Sequence, residues 1–295
     1  MRKRLLLAML AVTTLLAACG DDSSPSASSN TTGGSTPAPT FAAGSTMDVI
    51  QKRGKILIGT KFDQPLFGLK ALSGQPEGFD VEIAKLVAQG IFGSNINGKT
   101  EFIETPSAQR EQAIIDGKVD LVAATYTINN TRKEKVSFAG PYYEAGQSIL
   151  VKKDNSAITG LDTLAGKKVC TVLGSTPLKT LQERAPTADL SILFDTYSKC
   201  VEALKDGRVE AVSTDNVILL GFIKDNPGQF KLVGDTFTKE PYGIGVKKDD
   251  TVFRNFINDV LEKSYQDGTW ARLFEAQVGK PTEIPTPTPP PVDRY

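Results

Sequence analysis

Hydroxyl and cationic side chains follow an apolar run at residues 119–124 and could bind a carboxylate. The chain continues with Thr125, Thr127 and Arg132. A guanidinium group matches a carboxylate through two parallel hydrogen bonds and stays charged at any working pH. A lone arginine in a polar loop is most often solvated, so the residue type alone does not establish a site. The position just past an apolar run makes ligand binding the hypothesis to test.

A second set of polar residues could bind a negative charge at one position and a positive charge at another. Ser175 and Thr176 precede Pro177, and proline is favoured in the first turn of a helix. Amides and hydroxyls at a helix start attract anions, although plain helix capping explains the same residues. Asp215 can accept hydrogen bonds from an ammonium group, or it can cap the helix predicted at 216–223. The loop has no phosphate-binding lysine, so nucleotide binding is not indicated.

Two more cations lie near the same predicted strand ends. Lys61 follows the apolar run at 56–59, and Arg110 lies early in the helix predicted to start at Ser107. Arg110 could equally occupy a solvated helix face. Both cations belong to a ligand site only if the fold brings them to the strand ends named above.

The composition limits the chemistry that these residues can perform. The chain has no histidine, which excludes Ser-His-Asp and Cys-His mechanisms and histidine-bound zinc. No paired carboxylates are evident either, so we expect no catalysis, no metal and no cofactor. Lys and Arg number 34, as do Asp and Glu, so the chain lacks the basic excess that is typical of nucleic-acid-binding proteins.

Short β-like runs alternate with amphipathic segments around these residues. The predicted strands cover residues 55–59, 99–103, 119–124, 168–172, 190–194 and 209–213. One predicted helix begins at residue 78, and further predicted helices cover residues 107–116, 177–184 and 198–205. Strands that alternate with helices predict an α/β fold of parallel sheets with helical crossovers.

Residues 113–122 recur in similar form at 203–212, which predicts two similar lobes. In each copy an amphipathic segment ends at Asp-Gly, where glycine suits the left-handed helix end, and a basic residue leads into an apolar strand. A chance match of a common helix–turn–strand unit is the alternative. Thr125 and Asp215 hold equivalent places after the two strands. Open α/β sheets bind ligands beyond the carboxyl ends of their strands, so we expect both residues to face one cleft.

The N-terminal residues predict export and a lipid anchor. Three basic residues precede an apolar run of 14 residues at 5–18, which is shorter than the about 20 residues that span a membrane. Residues 1–18 are therefore predicted to be a signal peptide. Cys19 follows small residues as in the bacterial lipobox, so we expect it to carry the lipid; an ordinary signal with a chance cysteine is the alternative. Residues 19–46 form a polar, flexible linker.

The chain has two more cysteines and a proline-rich C-terminus. Cys170 and Cys200 would form a disulfide in an oxidising compartment, or they would remain as buried free thiols. The tail at 281–295 is rich in proline, so we expect it to be extended and solvated. No second hydrophobic segment of spanning length follows the N-terminal one, which favours an anchored chain over a threaded one.

The segment from Thr127 to Arg132, followed by Pro-Tyr-Tyr at 141–143, resembles the amino-acid-binding proteins of bacterial ABC importers, extracellular solute-binding protein family 3. The resemblance covers about residues 47–279. It implies an α/β fold with two lobes, the type II periplasmic-binding-protein fold, in which the chain crosses twice between lobes at a hinge. The implied boundaries are crossings near 142–146 and 241–243, lobe 1 at 47–143 plus 244–280, and lobe 2 at 144–243.

The resemblance also implies a role for each polar residue of the cleft. The α-carboxylate of an amino acid would be held by Thr127, Arg132, Ser175 and Thr176. The α-ammonium would be bound by the main-chain carbonyl of Thr125 and the carboxylate of Asp215. A buried zwitterion needs such paired donors and acceptors.

The residues that would meet the ligand side chain favour an acidic one. Relatives that bind glutamate or aspartate have a basic residue at the position of Lys61 and a Ser-x-x-Arg pattern, which matches Ser107 to Arg110. Glutamine-preferring relatives have an acidic residue and an aromatic residue there. Residues 59–65 and the two later cysteines resemble those of actinobacterial glutamate-binding lipoproteins. Tyr197 stands where acidic-ligand relatives have a histidine, and we keep it as a candidate.

The resemblance implies a monomeric lipoprotein on the outer face of the cell membrane. It would capture L-glutamate and deliver it to ABC permease subunits, with no nucleic acid among its partners. Aspartate, glutamine and asparagine are alternative ligands. A ligand sensor and an enzyme on the same scaffold are alternative functions, and the lack of histidine argues against the enzyme.

Overall fold

Two five-stranded sheets organise the computed structural model, which describes residues 38–295. The strands are β1 (Ile56–Thr60), β2 (Asp63–Gln64), β3 (Gly68–Lys70), β4 (Pro76–Glu77), β5 (Thr100–Glu104), β6 (Leu121–Val122), β7 (Val136–Ala145), β8 (Gln147–Lys152), β9 (Val169–Val172), β10 (Leu193–Phe194), β11 (Ala211–Asp215), β12 (Phe230–Val233) and β13 (Glu240–Lys247). The helices are α1 (Thr46–Arg53), α2 (Phe79–Phe92), α3 (Arg110–Ile115), α4 (Asn130–Lys133), α5 (Thr176–Arg184), α6 (Tyr197–Lys205), α7 (Asn216–Asp225), α8 (Thr251–Gln266), α9 (Thr269–Phe274) and α10 (Lys280–Thr282).

The two large sheets have the same pattern of strand pairing. Their strand orders are β5-β1-β6-β13-β7 and β10-β9-β11-β8-β12. In each sheet three neighbouring strands are parallel, and the next two pair antiparallel. We call the part built on the first sheet, with the small sheet β2-β3-β4, the first lobe, and the part built on the second sheet the second lobe. The predicted α/β fold with two lobes is confirmed.

The chain passes between the lobes twice, through the paired strands β7 and β13. Strand β7 ends at Ala145 and the chain continues into β8 after Gly146, while β13 begins at Glu240, opposite Ala145. The two passages are therefore adjacent and antiparallel. Extended strands that join two separate sheets can absorb the change in backbone angles that a hinge requires.

Aromatic side chains form the core of the first lobe. Phe79 lies edge-on to Trp270 and Phe274, with ring centroids 5.7 and 5.6 Å apart. Phe274 also stacks on Tyr143 at 5.6 Å. Trp270 donates its indole N–H to the carbonyl of Tyr142 at 2.8 Å. The core is thus bonded directly to a hinge strand, as expected for an indole that needs a partner when buried.

Aliphatic side chains and a disulfide form the core of the second lobe. Cys170 of β9 and Cys200 of α6 are bonded, with Cα atoms 5.5 Å apart, which confirms the favoured interpretation of the two cysteines. Leu150, Val212 and Leu219 belong to the buried cluster around them. A disulfide of this kind stabilises the fold mainly by restricting the unfolded chain.

Two predicted elements are shorter than expected beside the cleft. The helix predicted at 107–116 is divided into a 3-10 turn at Ser107–Gln109 and α3. The strand predicted at 119–124 is paired only at Leu121–Val122. The strand ends early because Thr125 has a φ of 44°, a left-handed conformation that cannot continue an extended ladder.

The C-terminal tail is extended and largely exposed, as predicted, but its last residues also contact the first lobe. Val292 packs on the core of the first lobe. The amide of Asp293 donates to the carbonyl of Gly140 at 2.8 Å, and the Tyr295 hydroxyl accepts from the amide of Phe138 at 2.9 Å. Strand β7 is at the edge of its sheet, where outer amides and carbonyls need partners. The tail provides some of them.

The last part of the predicted linker also has packing partners. Phe41 lies edge-on to Phe256 at 5.4 Å, and the carbonyl of Pro39 accepts from the side chain of Gln51 at 2.8 Å. The predicted signal peptide at 1–18 and the lipidation site Cys19 lie outside the described residues. Among residues 38–295, no helix is long and apolar enough to cross a membrane.

Candidate functional site

A small cavity lies between the lobes, at the carboxyl ends of the parallel strands. It is lined by Ser107, Arg110, Thr125, Thr127, Ser175, Thr176, Pro177, Tyr197, Thr214, Asp215 and Ile218. All predicted ligand-binding residues are in this lining except Lys61 and Arg132, which donate hydrogen bonds to the lining residues Ser107 and Thr127. Both lobes contribute, as expected from the equivalent positions of Thr125 and Asp215.

Thr125 is held in a left-handed conformation by two buried side chains. Asp80 Oδ2 accepts from the Thr125 amide at 2.7 Å, and Gln64 Oε1 accepts from its hydroxyl at 2.9 Å. Asp80 also accepts from the Tyr142 hydroxyl at 2.6 Å. A β-branched residue is rare at positive φ, so such bonds must hold it there. Burial raises the pKa of Asp80 to about 7, although the hydrogen bonds from the Tyr142 hydroxyl and the Thr125 amide oppose the shift.

Arg110 supports the same turn from the other side. Its Nη1 donates to the carbonyls of Ala124 and Thr125 at 2.9 and 3.2 Å. Its Nε donates to the carbonyl of Ser107 at 3.3 Å, and the guanidinium lies 4.2 Å from the ring centre of Tyr126. The Arg110 charge therefore reaches the cavity, but much of its hydrogen-bonding capacity shapes the main chain.

Arg132 connects the lobes instead of lining the cavity. Its Nη1 donates to the carbonyl of Thr127 at 2.7 Å, and its Nη2 donates to the carbonyl of Gly174 in the second lobe at 3.2 Å. Its Nε lies 3.3 Å from Glu111 Oε1. Burial, and then repulsion from Arg110, lowers the pKa of Arg132 to about 10, so the guanidinium remains charged at neutral pH.

Glu240, which the sequence reasoning did not identify, joins the two lobes at the hinge. Only 3% of it is exposed, and its Oε2 accepts from the hydroxyls of Thr127 and Thr176, both at 2.7 Å. Its Oε1 accepts from the Thr238 hydroxyl at 2.8 Å. A hydroxyl has a single proton. Thr127 and Thr176 therefore donate to Glu240 and offer only lone pairs, or their main-chain amides, to a ligand.

Asp215 presents a free carboxylate oxygen to the cavity. Its Oδ2 accepts from the Tyr242 hydroxyl at 2.5 Å, whereas its Oδ1 is buried with no hydrogen-bond partner in the part of the chain that is described. Burial, and then repulsion from Glu240, raises the pKa of Asp215 to about 7. An unsatisfied buried acceptor is unfavourable unless a donor reaches it, and an ammonium group would be such a donor.

Lys61 is a buried cation with little compensation. It is 3% exposed, and its Nζ donates to the Ser107 hydroxyl at 2.9 Å. Within residues 38–295 no carboxylate lies within 4 Å of this nitrogen, unlike the ion-paired Arg132. Burial, followed by repulsion from Arg110, lowers the pKa of Lys61 to about 7. Its Ser107 partner lines the cavity, so the charge is adjacent to any bound side chain.

Ser175 and Tyr197 place two helix starts at the cavity. The Ser175 hydroxyl accepts from the amide of Leu178 at 3.2 Å and so caps α5. Tyr197 is the first residue of α6, and burial followed by the Asp215 charge raises its pKa to about 12. The amides of a first helical turn have no intrahelical acceptor. At α5 they can therefore bind an anion beside the Thr176 amide, whereas at α6 the amides of Tyr197 and Ser198 donate to Asp63.

The arrangement is suited to binding and not to chemistry. Three buried cations and three buried carboxylates either line the small cavity or hydrogen-bond to residues that line it; these are Lys61, Arg110, Arg132, Asp80, Asp215 and Glu240. A molecule that bears both a carboxylate and an ammonium group would satisfy donors and acceptors on opposite walls. Sequence reasoning could not find Asp80 or Glu240, because their partners in the cavity lining, Thr125, Thr127 and Thr176, lie 45 or more residues away.

Residues 56–280 match the family model of bacterial extracellular solute-binding proteins, family 3. The glutamate-binding protein GluB of Corynebacterium efficiens is 42% identical over 241 residues, 79% of this chain and 82% of the relative. The ABC transporter glutamine-binding protein GlnH of Bacillus subtilis is 41% identical over 232 residues, 78% of this chain and 83% of the relative. A solved ancestral arginine-binding protein bound to glutamine has a TM-score of 0.71 and 40% identity, over 77% of this chain and 99% of that chain.

Proposed function

Because this chain belongs to family 3 of the bacterial extracellular solute-binding proteins, we propose that its ligand is an acidic amino acid, with L-glutamate preferred. The coarser function follows from the family: the chain is an amino-acid-binding protein of an ABC transporter, and its named relatives are binding proteins, not enzymes. Our proposal adds to this function a preference for ligands with an acidic side chain.

The observation that carries the proposal is the state of Lys61. A buried ammonium group is unfavourable unless a negative charge lies near it. Lys61 has a hydroxyl partner at 2.9 Å and no carboxylate partner among residues 38–295. A ligand carboxylate beside Ser107 would supply the missing charge.

Each predicted site residue has a place in this proposal. The α-ammonium is bound by Asp215 Oδ1 and the Thr125 carbonyl. The α-carboxylate is bound on the opposite wall, by Arg132 and by the main-chain amides of Thr127 and Thr176, next to the Ser175 cap. The ligand side chain meets Lys61, Ser107, Arg110 and Tyr197. The hydroxyls of Thr127 and Thr176 act indirectly, through Glu240.

Calorimetric titration of the purified protein with L-glutamate, L-aspartate, L-glutamine and L-asparagine tests the proposal. We expect L-glutamate to bind at least about tenfold more tightly than L-glutamine, which corresponds to about 1.4 kcal/mol. Tighter binding of L-glutamine or of a basic amino acid would overturn the preference for an acidic ligand. Binding of no amino acid would overturn the assignment of the cavity.

L-glutamine is the second candidate ligand, since GlnH is almost as similar to this chain as GluB. A lysine with a pKa near 7 is partly neutral at physiological pH and could then accept a hydrogen bond from a side-chain amide. The titration separates the two ligands, because only glutamate binding requires the protonated amine.

The cellular setting forms part of the proposal. We place the lobe boundaries at 47–143 plus 244–280 and 144–243, with a signal peptide at 1–18, a lipid on Cys19 and delivery to permease subunits outside the cell membrane. The basic and apolar N-terminal residues support export. Mass spectrometry of the N-terminal peptide from cells tests the anchor: a diacylated Cys19 supports it, and an unmodified cysteine contradicts it.

A further inference from the structure

The segment at residues 61–65 contacts both lobes. On the first lobe, Lys61 donates to a hydroxyl that lines the cavity. Toward the second lobe, Asp63 Oδ2 accepts from the amides of Tyr197 and Ser198, at 2.8 and 3.3 Å. A stretch of five residues thus joins a cation beside the cavity to a helix start in the other lobe. We call the two bonds of Asp63 the interlobe cap.

Helix α6 depends on this residue of the other lobe for its cap. Thr196, the N-cap residue, makes no side-chain bond to the first-turn amides of the described helix, and its hydroxyl accepts from the Ser198 hydroxyl at 3.3 Å. Helix α5, in contrast, is capped from within its own lobe by Ser175. First-turn amides need an acceptor and favour a negative charge. Asp63 provides both from across the cleft.

A second contact fixes the same segment against the second lobe. A Cβ atom at Gly221 of α7 would lie only 2.6 Å from the carbonyl oxygen of Pro65. Glycine in a helix interior is unfavourable by about 1 kcal/mol relative to alanine, so its presence here is explained by the close approach. The 61–65 segment therefore packs on two helices of the second lobe, α6 and α7.

We propose that Asp63 is a positioning residue for ligand binding, which couples contact between the lobes to the placement of Lys61 and Tyr197. The inference rests on the proposed function, which assigns both residues to the ligand side chain. The interlobe cap joins residues of different lobes, so it forms when the lobes meet around a ligand and breaks when they separate. When it forms, it fixes the first residue of α6 and the segment that carries Lys61.

The charges around Lys61 are consistent with this role. Arg110 and Arg132 face its ammonium group and lower its pKa, while Asp63 and Asp80 raise it, and burial has the largest effect. Loss of the Asp63 charge would therefore favour the neutral amine, which cannot pair with a ligand carboxylate. Asp63 thus affects both the closed arrangement and the preference for an acidic ligand.

The first test compares Asp63→Ala with the control Asp195→Ala. Asp195 lies two residues before the start of α6, but it pairs with Lys199 of that helix and its side chain is 55% exposed. We expect Asp63→Ala to release L-glutamate about tenfold faster in stopped-flow measurements, with the association rate nearly unchanged, because a lost cap acts on the closed state. Asp195→Ala should match the wild type. Equal dissociation rates for the two variants would overturn the inference.

Two further variants separate positioning from a general loss of structure. Asp63→Asn keeps an acceptor for the cap but lacks the charge. Compared with Asp63→Ala, it should restore slow release of L-glutamine. L-glutamate should still bind a few-fold more weakly than it binds the wild type. Gly221→Ala should leave the ligand-free protein as stable as the wild type or more so, and yet speed ligand release. A Gly221→Ala variant that releases ligand at the wild-type rate would contradict the packing argument.

The experiment also distinguishes this inference from the proposed function. Wild-type titration with L-glutamate and L-glutamine reports on the function alone. If L-glutamine binds better, the glutamate preference fails, and the comparison of Asp63→Ala with Asp195→Ala still decides the role of Asp63 with L-glutamine as the probe. If L-glutamate binds as proposed and both variants behave like the wild type, only the inference about Asp63 fails.

Discussion

The buried cations of the site fall into two groups that differ in how their charge is compensated. Arg110 and Arg132 lie 4.2 and 5.0 Å from the ring centre of Tyr126 and donate to main-chain carbonyls of the protein. Lys61 donates to one hydroxyl. Buried charges in proteins are ordinarily paired. The arginines therefore contribute mainly to the shape of the site, whereas the Lys61 charge is available to whatever enters the cavity.

The comparison explains how one scaffold can bind different amino acids. In the proposed mode of binding, the turn built around Tyr126 and Thr125 would define where the α-amino and α-carboxyl groups lie. The 61–65 segment and Ser107 would define which side chain is accepted. We therefore expect a change in the second group to alter specificity without disturbing the first.

Replacing the structural cation should have the largest effect. Arg132→Met removes donors to Thr127 and Gly174 and leaves Glu111 without its partner. We expect every amino acid to bind more than about 100-fold more weakly, and the free energy of unfolding to fall by about 3 kcal/mol. Calorimetry and urea denaturation measure the two effects.

The exposed Arg208, which pairs with Asp206 at 3.1 Å, provides the matched control. Arg208→Met should change neither quantity measurably. If Arg132→Met keeps its affinity for all amino acids, the proposed contact of Arg132 with the α-carboxylate is wrong, and an unchanged free energy of unfolding would contradict its structural role.

Replacing the uncompensated cation should affect one class of ligand. In Lys61→Met, L-glutamate should bind at least about 30-fold more weakly, while L-glutamine changes by less than about threefold. The melting temperature of the ligand-free protein should rise, because a buried ammonium group is replaced by an apolar side chain of similar volume. Calorimetry and thermal unfolding measure both. An equal loss for both ligands would remove the distinction between the two groups of cations.

The pH dependence of affinity should separate the same two groups. The pKa of Lys61 is lowered to about 7, so its ammonium form dominates below that pH and is lost above it. L-glutamate affinity should therefore fall by up to about tenfold per pH unit above 7, until the pKa of Lys61 in the complex is reached. L-glutamine affinity should not show this alkaline decrease. Titrations between pH 6 and 9 measure it.

Below neutral pH, protonation of Asp215 should lower the affinity for amino acids. Its pKa is raised to about 7, so the ionised form that binds an ammonium group is lost as the pH falls. Both ligands should then bind more weakly in acid. Equal pH profiles for L-glutamate and L-glutamine above pH 7 would contradict the role of Lys61.

Glu240→Gln should have the smallest effect of the four. The amide oxygen can still accept from Thr127 and Thr176, but the amide nitrogen cannot accept from the Thr238 hydroxyl. We expect all amino acids to bind about three- to fivefold more weakly, which calorimetry detects. Glu144→Gln, at a half-exposed position of the other hinge strand, is the control. A loss above about 100-fold would place Glu240 in direct contact with the ligand.

The sequence was sufficient for residues whose position follows from local pattern. Thr125 and Asp215 follow apolar strands in two similar segments, and parallel strands bring such residues to one edge. Both line the cavity. The two lobes and the disulfide followed in the same way, from alternating elements and from cysteines in an exported chain.

Residues whose role depends on distant partners could not be predicted in this way. Glu240 and Asp63 are ordinary acidic residues in the sequence, and each acquires its role from hydroxyls or amides more than 60 residues away. The C-terminal tail was predicted to be solvated from its proline content. That composition sets its extended conformation, but the unpaired edge of β7 determines where it lies.

The Cys170–Cys200 bridge has a consequence for the geometry of ligand capture. Strand β9, which contains Cys170, leads to the start of α5 at Thr176, and Cys200 lies one turn into α6, which starts at Tyr197. The bridge therefore fastens the two helix starts of the second lobe into a single template of constant spacing. The spacing of the two helix starts is thus set by a covalent bond, whereas the cap of α6 still depends on Asp63 of the first lobe.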